Sequence, residues 1–365
     1  MTFVEKTNYY GEESRVDEIL AIRREACAVR SDLGLPMGVI FVKDHRESDG
    51  PDVSWECTYS SLEAYEQDLA VRAASPAFED VRDRMAAAVE RFERHLNQVD
   101  ASTHGGVACA RDVSLDGYPI VPRQIVFESA GEKLSGYLFL PPGEGPFPCV
   151  ITNHGSGIKQ GTTDLCRPGT ASLLMSWGYA SFLPHRHGYG ESSGVPWDTE
   201  VSAEFGTALY DQQLVARLEK ESDDVVAAAD FLATLEQIDS DRMAVMGSSF
   251  GGTVTLWAST KSDRFRCAVE FAGAAINWEH TPNLRDAMAD ATRRVKCPIY
   301  FLQAENDYCV EPTRVLGALT SDAQHPIQSK VFPAIGLSKD EGHFFEKWGG
   351  LIWGPEIRAY FARWL

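Results

Sequence analysis

The stretch from Met243 to Ala258 constrains the fold more than any other. Met243–Met246 is a short apolar run of the kind found in a strand buried on both faces. It runs directly into Gly247-Ser248-Ser249-Phe250-Gly251, after which Gly252, Thr253, Val254, Leu256, Trp257 and Ala258 read as a buried helix. A strand that becomes a helix within so few residues leaves no room for side chains at the flanks of the turn, which accounts for glycine at 247 and 251. Such a turn lifts Ser249 above the carboxyl edge of its sheet.

The surroundings agree with a sheet of this kind. Gln124–Phe127 and Leu134–Leu140 read as a hairpin across Ser129-Ala130-Gly131-Glu132. Cys149–Thr152, Tyr179–Leu183, Met243–Met246, Ala268–Phe271 and Ile299–Leu302 are apolar runs separated by helical stretches, among them Asp223–Leu235. Alternation of this sort predicts an α/β fold, a doubly wound and mostly parallel sheet, over residues 121–365. Residues 195–222, with Trp197, Phe205, Leu209 and Tyr210, read as a cap.

A serine hydroxyl is a weak nucleophile until a base removes its proton. In a sheet with this turn the partners follow in the order serine, acid, histidine. Ile299–Leu302 leads into Gln303-Ala304-Glu305-Asn306-Asp307. Asp307 is the expected acid, and Glu305, two residues earlier in the same turn, is the rival. Glu341-Gly342-His343-Phe344-Phe345 precedes a terminal helix over 350–365 and makes His343 the expected base. On these residues the chain resembles the α/β-hydrolase superfamily, specifically its dienelactone-hydrolase-like and prolyl-oligopeptidase-like serine esterases.

The resemblance implies an oxyanion hole. One donor is the Phe250 amide. The other comes from Asn153-His154-Gly155-Ser156-Gly157, most simply the Ser156 amide, with Gly155 as the alternative. His154 reads as a brace for that loop rather than a catalytic group. His185-Arg186-His187-Gly188-Tyr189-Gly190-Glu191-Ser192-Ser193-Gly194 is similar to a structural loop of the family that borders the site. Arg186 or Lys159 is a candidate for holding a substrate carboxylate. His185 and His187 have no third ligand at a supporting spacing, so no metal is expected, and no organic cofactor is implied.

Ahead of this domain, residues 1–100 carry 12 basic and 21 acidic side chains, a denser charge than the rest. Asn97–Gly106 is polar, and a linker is placed over 101–120. Phe3–Tyr10, Val39–Lys43 and Val53–Tyr59 read as strands, the last two joined through Glu47–Asp52. Residues 15–32 read as an amphipathic helix, 61–73 as a second capped by Ser60 with Glu63, and a third starts at Ser75-Pro76 with Phe78, Val81, Met85, Val89 and Phe92 as its stripe. The order β-α-β-β-α-α over residues 2–96 resembles the ferredoxin-like dimeric α+β barrel group. That resemblance implies a homodimer, with Phe3–Tyr10 and the hairpin around Trp55 supplying an apolar face. About 100 residues are too few for even a four-bladed propeller, which makes a dedicated peptidase less expected than an esterase.

The formal net charge of the 365-residue chain is −19, which opposes binding to nucleic acids and anionic membranes. No apolar run approaches the ~18–20 residues that span a bilayer. The opening Met-Thr-Phe-Val-Glu-Lys shows no signal-peptide pattern. Eight scattered cysteines without a C-x-x-C pair suit reduced thiols, so the expected location is cytoplasmic. The expectation is therefore a serine hydrolase that cleaves a carboxylic ester or lactone of a small molecule through Ser249, His343 and Asp307. Acyl transfer or C–C cleavage on the same residues is the alternative, as is a first domain acting as a cofactor-free oxygenase or binding module, with Tyr9, Tyr10 and Trp55 around a pocket.

Overall fold

The computed structural model describes residues 3–44, 49–59, 61–98, 112–158 and 165–365. Ser60, Lys159, Cys109, part of the 47–52 turn and much of the expected linker lie outside them. The chain divides into two compact units, Met1–His104 and Gly105–Leu365.

The first unit runs β1 (Phe3–Tyr10), α1 (Val16–Asp32), β2 (Val39–Val42), β3 (Val53–Tyr59), α2 (Leu62–Ala73), α3 (Pro76–Ala88) and β4 (Arg91–Gln98). Its sheet is antiparallel in the order β2-β3-β1-β4, with Tyr9 opposite both Val53 and Phe92. The fourth strand corrects the sequence reading. The α3 stripe ends at Ala88, Val89 is already extended, and Phe92 belongs to β4, where its ring lies 5.6 Å from Tyr9. Arg-Phe-Glu-Arg-His-Leu-Asn-Gln alternates, but β4 is a largely exposed edge strand with charges on both faces, so no apolar stripe marks it. The α2 cap is Ser61, whose side chain accepts from the Ala64 amide.

Alternation puts Tyr9, Val53, Trp55, Cys57 and Tyr59 against Ile19, Ile22 and Ala26 of α1 and Val81 and Met85 of α3. Tyr9 and Trp55 are therefore core residues, not the open apolar face expected for a partner. The opposite face carries Lys6 paired with Glu56 at 2.8 Å, and Glu93 accepting from Asn8 and Tyr10.

In the second unit, β5 (Arg123–Ser129), β6 (Glu132–Phe139), β7 (Phe147–Asn153), β8 (Ala180–Pro184), β9 (Ile238–Ser248), β10 (Phe265–Phe271), β11 (Ile299–Ala304) and β12 (Ile327–Phe332) form one sheet. Its order is β12-β11-β10-β9-β7-β8-β6-β5, with β6 antiparallel to β5 and β8 and the other pairings parallel. Its helices are α4 (Pro168–Ser176), α5 (Trp197–Glu200), α6 (Ala208–Leu232), α7 (Phe250–Lys261), α8 (Pro282–Arg293), α9 (Glu311–Gly317), α10 (Lys339–His343), α11 (Phe345–Trp348) and α12 (Gly350–Trp364). Residues of α6, α7 and α8 build one apolar layer and residues of α4 and α12 the other, so the sheet is covered on both faces.

Most of the expected cap is the front of α6. This helix starts at Ala208 and buries Leu214 and Leu218 completely. Its inward face also holds Arg217 and Glu221, which interrupt the apolar periodicity that would have shown the helix beginning before Asp223. Among the described residues, no helix is long and apolar enough to cross a membrane.

Candidate active site

Ser249 sits between β9 and α7 with φ 59° and ψ −126°, a backbone conformation that side-chain-bearing residues rarely adopt. A Cβ at Gly251 would lie 2.2 Å from the Asn153 carbonyl oxygen, and one at Gly247 would lie 2.4 Å from the Gly251 carbonyl oxygen. Only glycine fits at either position. The Ser249 amide donates to Phe271 O at 2.9 Å, which ties the turn to β10.

Ser249 Oγ lies 3.0 Å from His343 Nε2, and His343 Nδ1 lies 2.9 Å from Asp307 Oδ1. Asp307 and His343 are both buried. Asp307 Oδ1 also accepts from the Tyr308 amide at 2.6 Å, and Oδ2 accepts from Gln303 Nε2 at 2.8 Å. With the carboxylate fixed on both oxygens, Nδ1 carries the proton and Nε2 faces the serine as an acceptor. Glu305 is exposed and hydrogen-bonds through its backbone to β12.

His343 ends α10, a five-residue helix held by a capping box: Ser338 Oγ accepts from the Glu341 amide, and Glu341 accepts from the Ser338 amide. Asn306 fastens the preceding loop. Its Nδ2 donates to Ile335 O at 2.9 Å and Ser338 O at 2.8 Å, and its Oδ1 accepts from the Ile335 amide. Sequence reading missed Gln303 and Asn306, which orient the acid and the base-bearing loop. Their position, Gln303 within a buried strand and Asn306 just after it beside Asp307, was the available signal.

The Asn153–Gly157 loop packs on the turn, and a Cβ at Gly155 would lie 3.1 Å from Ser249 Cβ. His154 is fully buried, and burial first, then the Arg186 charge, pushes its imidazole well below the usual range. It is neutral, donating from Nδ1 to Gly155 O at 2.7 Å and accepting the Arg186 amide at Nε2 at 3.4 Å. In a trans peptide the N–H opposes the C=O. Fixing the Gly155 carbonyl toward His154 thus turns the Ser156 amide the other way.

Arg186 is unavailable to a substrate. It is completely buried, with Nε 2.6 Å from Glu221 and Nη2 donating to His154 O at 2.8 Å. Arg217 shares Glu221 at 2.7 Å and donates to His187 O. His187 Nδ1 lies 2.6 Å from Asp224, and His185 Nε2 lies 2.7 Å from Leu165 O. The two histidines thus have separate structural partners. Trp353 and Trp278 are buried in the core, whereas Tyr308 is exposed, its ring 5.7 Å from that of His343.

A further buried acid lies beneath the serine turn. Glu270, on β10, has neither oxygen in a good hydrogen bond, and a Cβ at Gly273 or Gly252 would meet its carboxyl. Burial pushes its carboxyl up to about 8, against the opposing pull of the nearby Gly273 amide.

Residues 167–283 match the prolyl oligopeptidase family, a stretch that includes Ser249. The second unit has the α/β-hydrolase fold, and its central stretch is similar to the prolyl oligopeptidase family. The chain is similar to a Pyrococcus horikoshii acylaminoacyl peptidase, at 18 % identity and TM-score 0.51 over 67 % of this chain and 42 % of that one. It is also similar to a Pyrococcus furiosus esterase, at 16 % identity and TM-score 0.50 over 69 % of this chain and 94 % of that one. Both likenesses concern the fold. In sequence, the chain is 27 % identical over 156 residues to the quorum-quenching protein AidA of Acinetobacter baumannii, covering 43 % of this chain and 45 % of that protein. It is 23 % identical over 221 residues to dipeptidyl-peptidase 5 of Porphyromonas endodontalis, covering 53 % of this chain and 30 % of that protein. The chain therefore spans less than half the length of either relative.

Proposed function

We propose that the hydrolase unit cleaves a carboxylic ester or lactone of a small organic molecule through an acyl-enzyme at Ser249. The observation that carries this reading is the continuous hydrogen-bonded line from Ser249 through His343 to Asp307. Ser249 Oγ attacks the carbonyl as His343 Nε2 takes its proton and then hands it to the leaving alcohol. Asp307 keeps the imidazole in the required tautomer and stabilises it when charged. The Phe250 amide, and the Ser156 amide or alternatively Gly155, meet the oxyanion. Water, deprotonated by the same imidazole, then releases the acid. The free cysteines among the described residues support a reducing, cytoplasmic setting.

A fluorophosphonate should label Ser249, and Ser249→Ala should abolish labelling and turnover of p-nitrophenyl esters and lactones. Labelling that persists at Ser248 or elsewhere would refute the assignment. The family match supports a second reading, a peptidase. Peptidyl anilides in the same panel decide between them. An amide is intrinsically the harder bond, so a higher kcat/KM on anilides than on any ester or lactone would replace the ester reading.

A further inference from the structure

The first unit holds a partly open cavity of about 330 Å³, lined from β1, β3 and β4 on one side and from α1, α2 and α3 on the other. That is the lower end of the ~300–1,000 Å³ typical of small-molecule sites. Tyr9, Trp55, Phe78, Val81, Met85 and Phe92 supply apolar wall. The charged lining is one-sided: Arg23, Arg72, Arg82, Arg91 and Arg94 against the single acid Glu90. This concentration of cations lies in a chain whose formal net charge is −19.

Most of the buried charge beside the cavity is matched. Arg30 Nη2 pairs with Asp68 at 2.5 Å, Arg72 with Glu5 at 2.9 Å and Asp68 at 2.6 Å, and Arg94 with Glu5 at 3.0 Å. Arg23 is the exception. It is only 5 % exposed, and among the described residues no carboxylate pairs with it. Its Nη1 donates to Tyr9 Oη at 3.1 Å, its Nη2 reaches only the Cys27 thiol at 3.7 Å, and its Nε has no partner. The guanidinium lies 4.4 Å over the Trp55 ring, which offsets part of its desolvation but does not neutralise it. A buried cation without a counter-charge is costly, and an anion entering the cavity would remove that cost. The unsatisfied Nε–H and the weakly engaged Nη2 form one edge of the guanidinium fork, the geometry that receives both oxygens of a carboxylate.

We propose that this cavity is a binding site for a small carboxylate with an aromatic or alicyclic body, its oxygens on Arg23 and its ring against Tyr9, Phe78 and Phe92. The site is separate from the serine centre and does not depend on the reaction assigned there. Calorimetric titration of the full chain with benzoate, 1-naphthoate and cyclohexanecarboxylate, beside benzamide and inorganic phosphate, tests it. At least one carboxylate should bind, Arg23→Met should weaken it at least tenfold, and neither benzamide nor phosphate should displace it. The absence of binding by all three carboxylates, undiminished binding by Arg23→Met, or equal binding of phosphate would overturn the proposal. Should Arg23→Met fail to fold, Phe92→Glu decides, since it adds a repelling charge on an exposed edge strand. Unchanged carboxylate binding by that variant also overturns the proposal.

Discussion

Asp307 and Glu305 stand two residues apart in one turn, and only Asp307 reaches the imidazole. Asp307→Asn should lower turnover by on the order of 10⁴ in steady-state assays, because an amide offers the wrong partner to Nδ1–H, while Glu305→Gln should leave it unchanged. The reverse result would reassign the acid. Glu270 gives a pH prediction. Its carboxyl is raised to about 8 from an ordinary 4.5. Below the lower value both folded and unfolded chains hold the proton. Between the two only the folded chain keeps it, so this group makes stability fall as pH rises to about 8, then level off. At ~1.4 kcal/mol per pH unit the effect totals a few kcal/mol. Glu270→Gln should therefore gain stability over the parent between pH 5 and pH 8 in urea unfolding, and parallel curves for the two proteins would count against a buried neutral acid. Ser249, Asp307 and His343 were legible because a tight turn, chain order and flanking apolar strands converge on them. Gln303, Asn306 and Glu270 are single polar residues in or after apolar strands, and their roles exist only through contacts distant in sequence.

At the scale of elements, the short helix α10 owes its position to its cap more than to its length. Five residues are too few to hold a helix by propensity. Ser338→Ala removes the side-chain acceptor at its start, at a stability cost of about 1 kcal/mol. Because α10 ends in His343, kcat should fall severalfold with KM nearly unchanged. A change confined to KM would mean that the cap does not position the base. The elements legible in the sequence were those with a continuous buried run, such as α7, ten of whose twelve residues are buried, and the Met243–Ser248 half of β9, which is buried throughout. The front of α6 was hidden by Arg217 and Glu221, charges tolerated inside because they pair with each other and with Arg186 and Glu200. β4 was hidden because an exposed edge strand alternates charge with charge.

Across the whole molecule, the two units have separate apolar cores, one around Trp55 and the others within the second unit. All three residues of the proposed catalytic line belong to the second unit. A chain starting at Gly105 should therefore fold and retain esterase turnover, and a folded but inactive product would show that the first unit contributes to catalysis. The homodimer inferred from the sequence remains our proposal for the first unit, now resting on the exposed Val39 and Phe41 of edge strand β2 rather than on the buried Trp55. Light scattering should give twice the chain mass, and Phe41→Glu should halve it. A full-length monomer would end that proposal. Separate cores also affect heat resistance. Cooperativity extends only as far as shared packing does, so two separate apolar clusters are expected to melt as two events rather than one. A single melting temperature would then describe neither unit. Scanning calorimetry should resolve two endotherms, and heating past the smaller unit's transition should leave hydrolysis running in a half-molten chain.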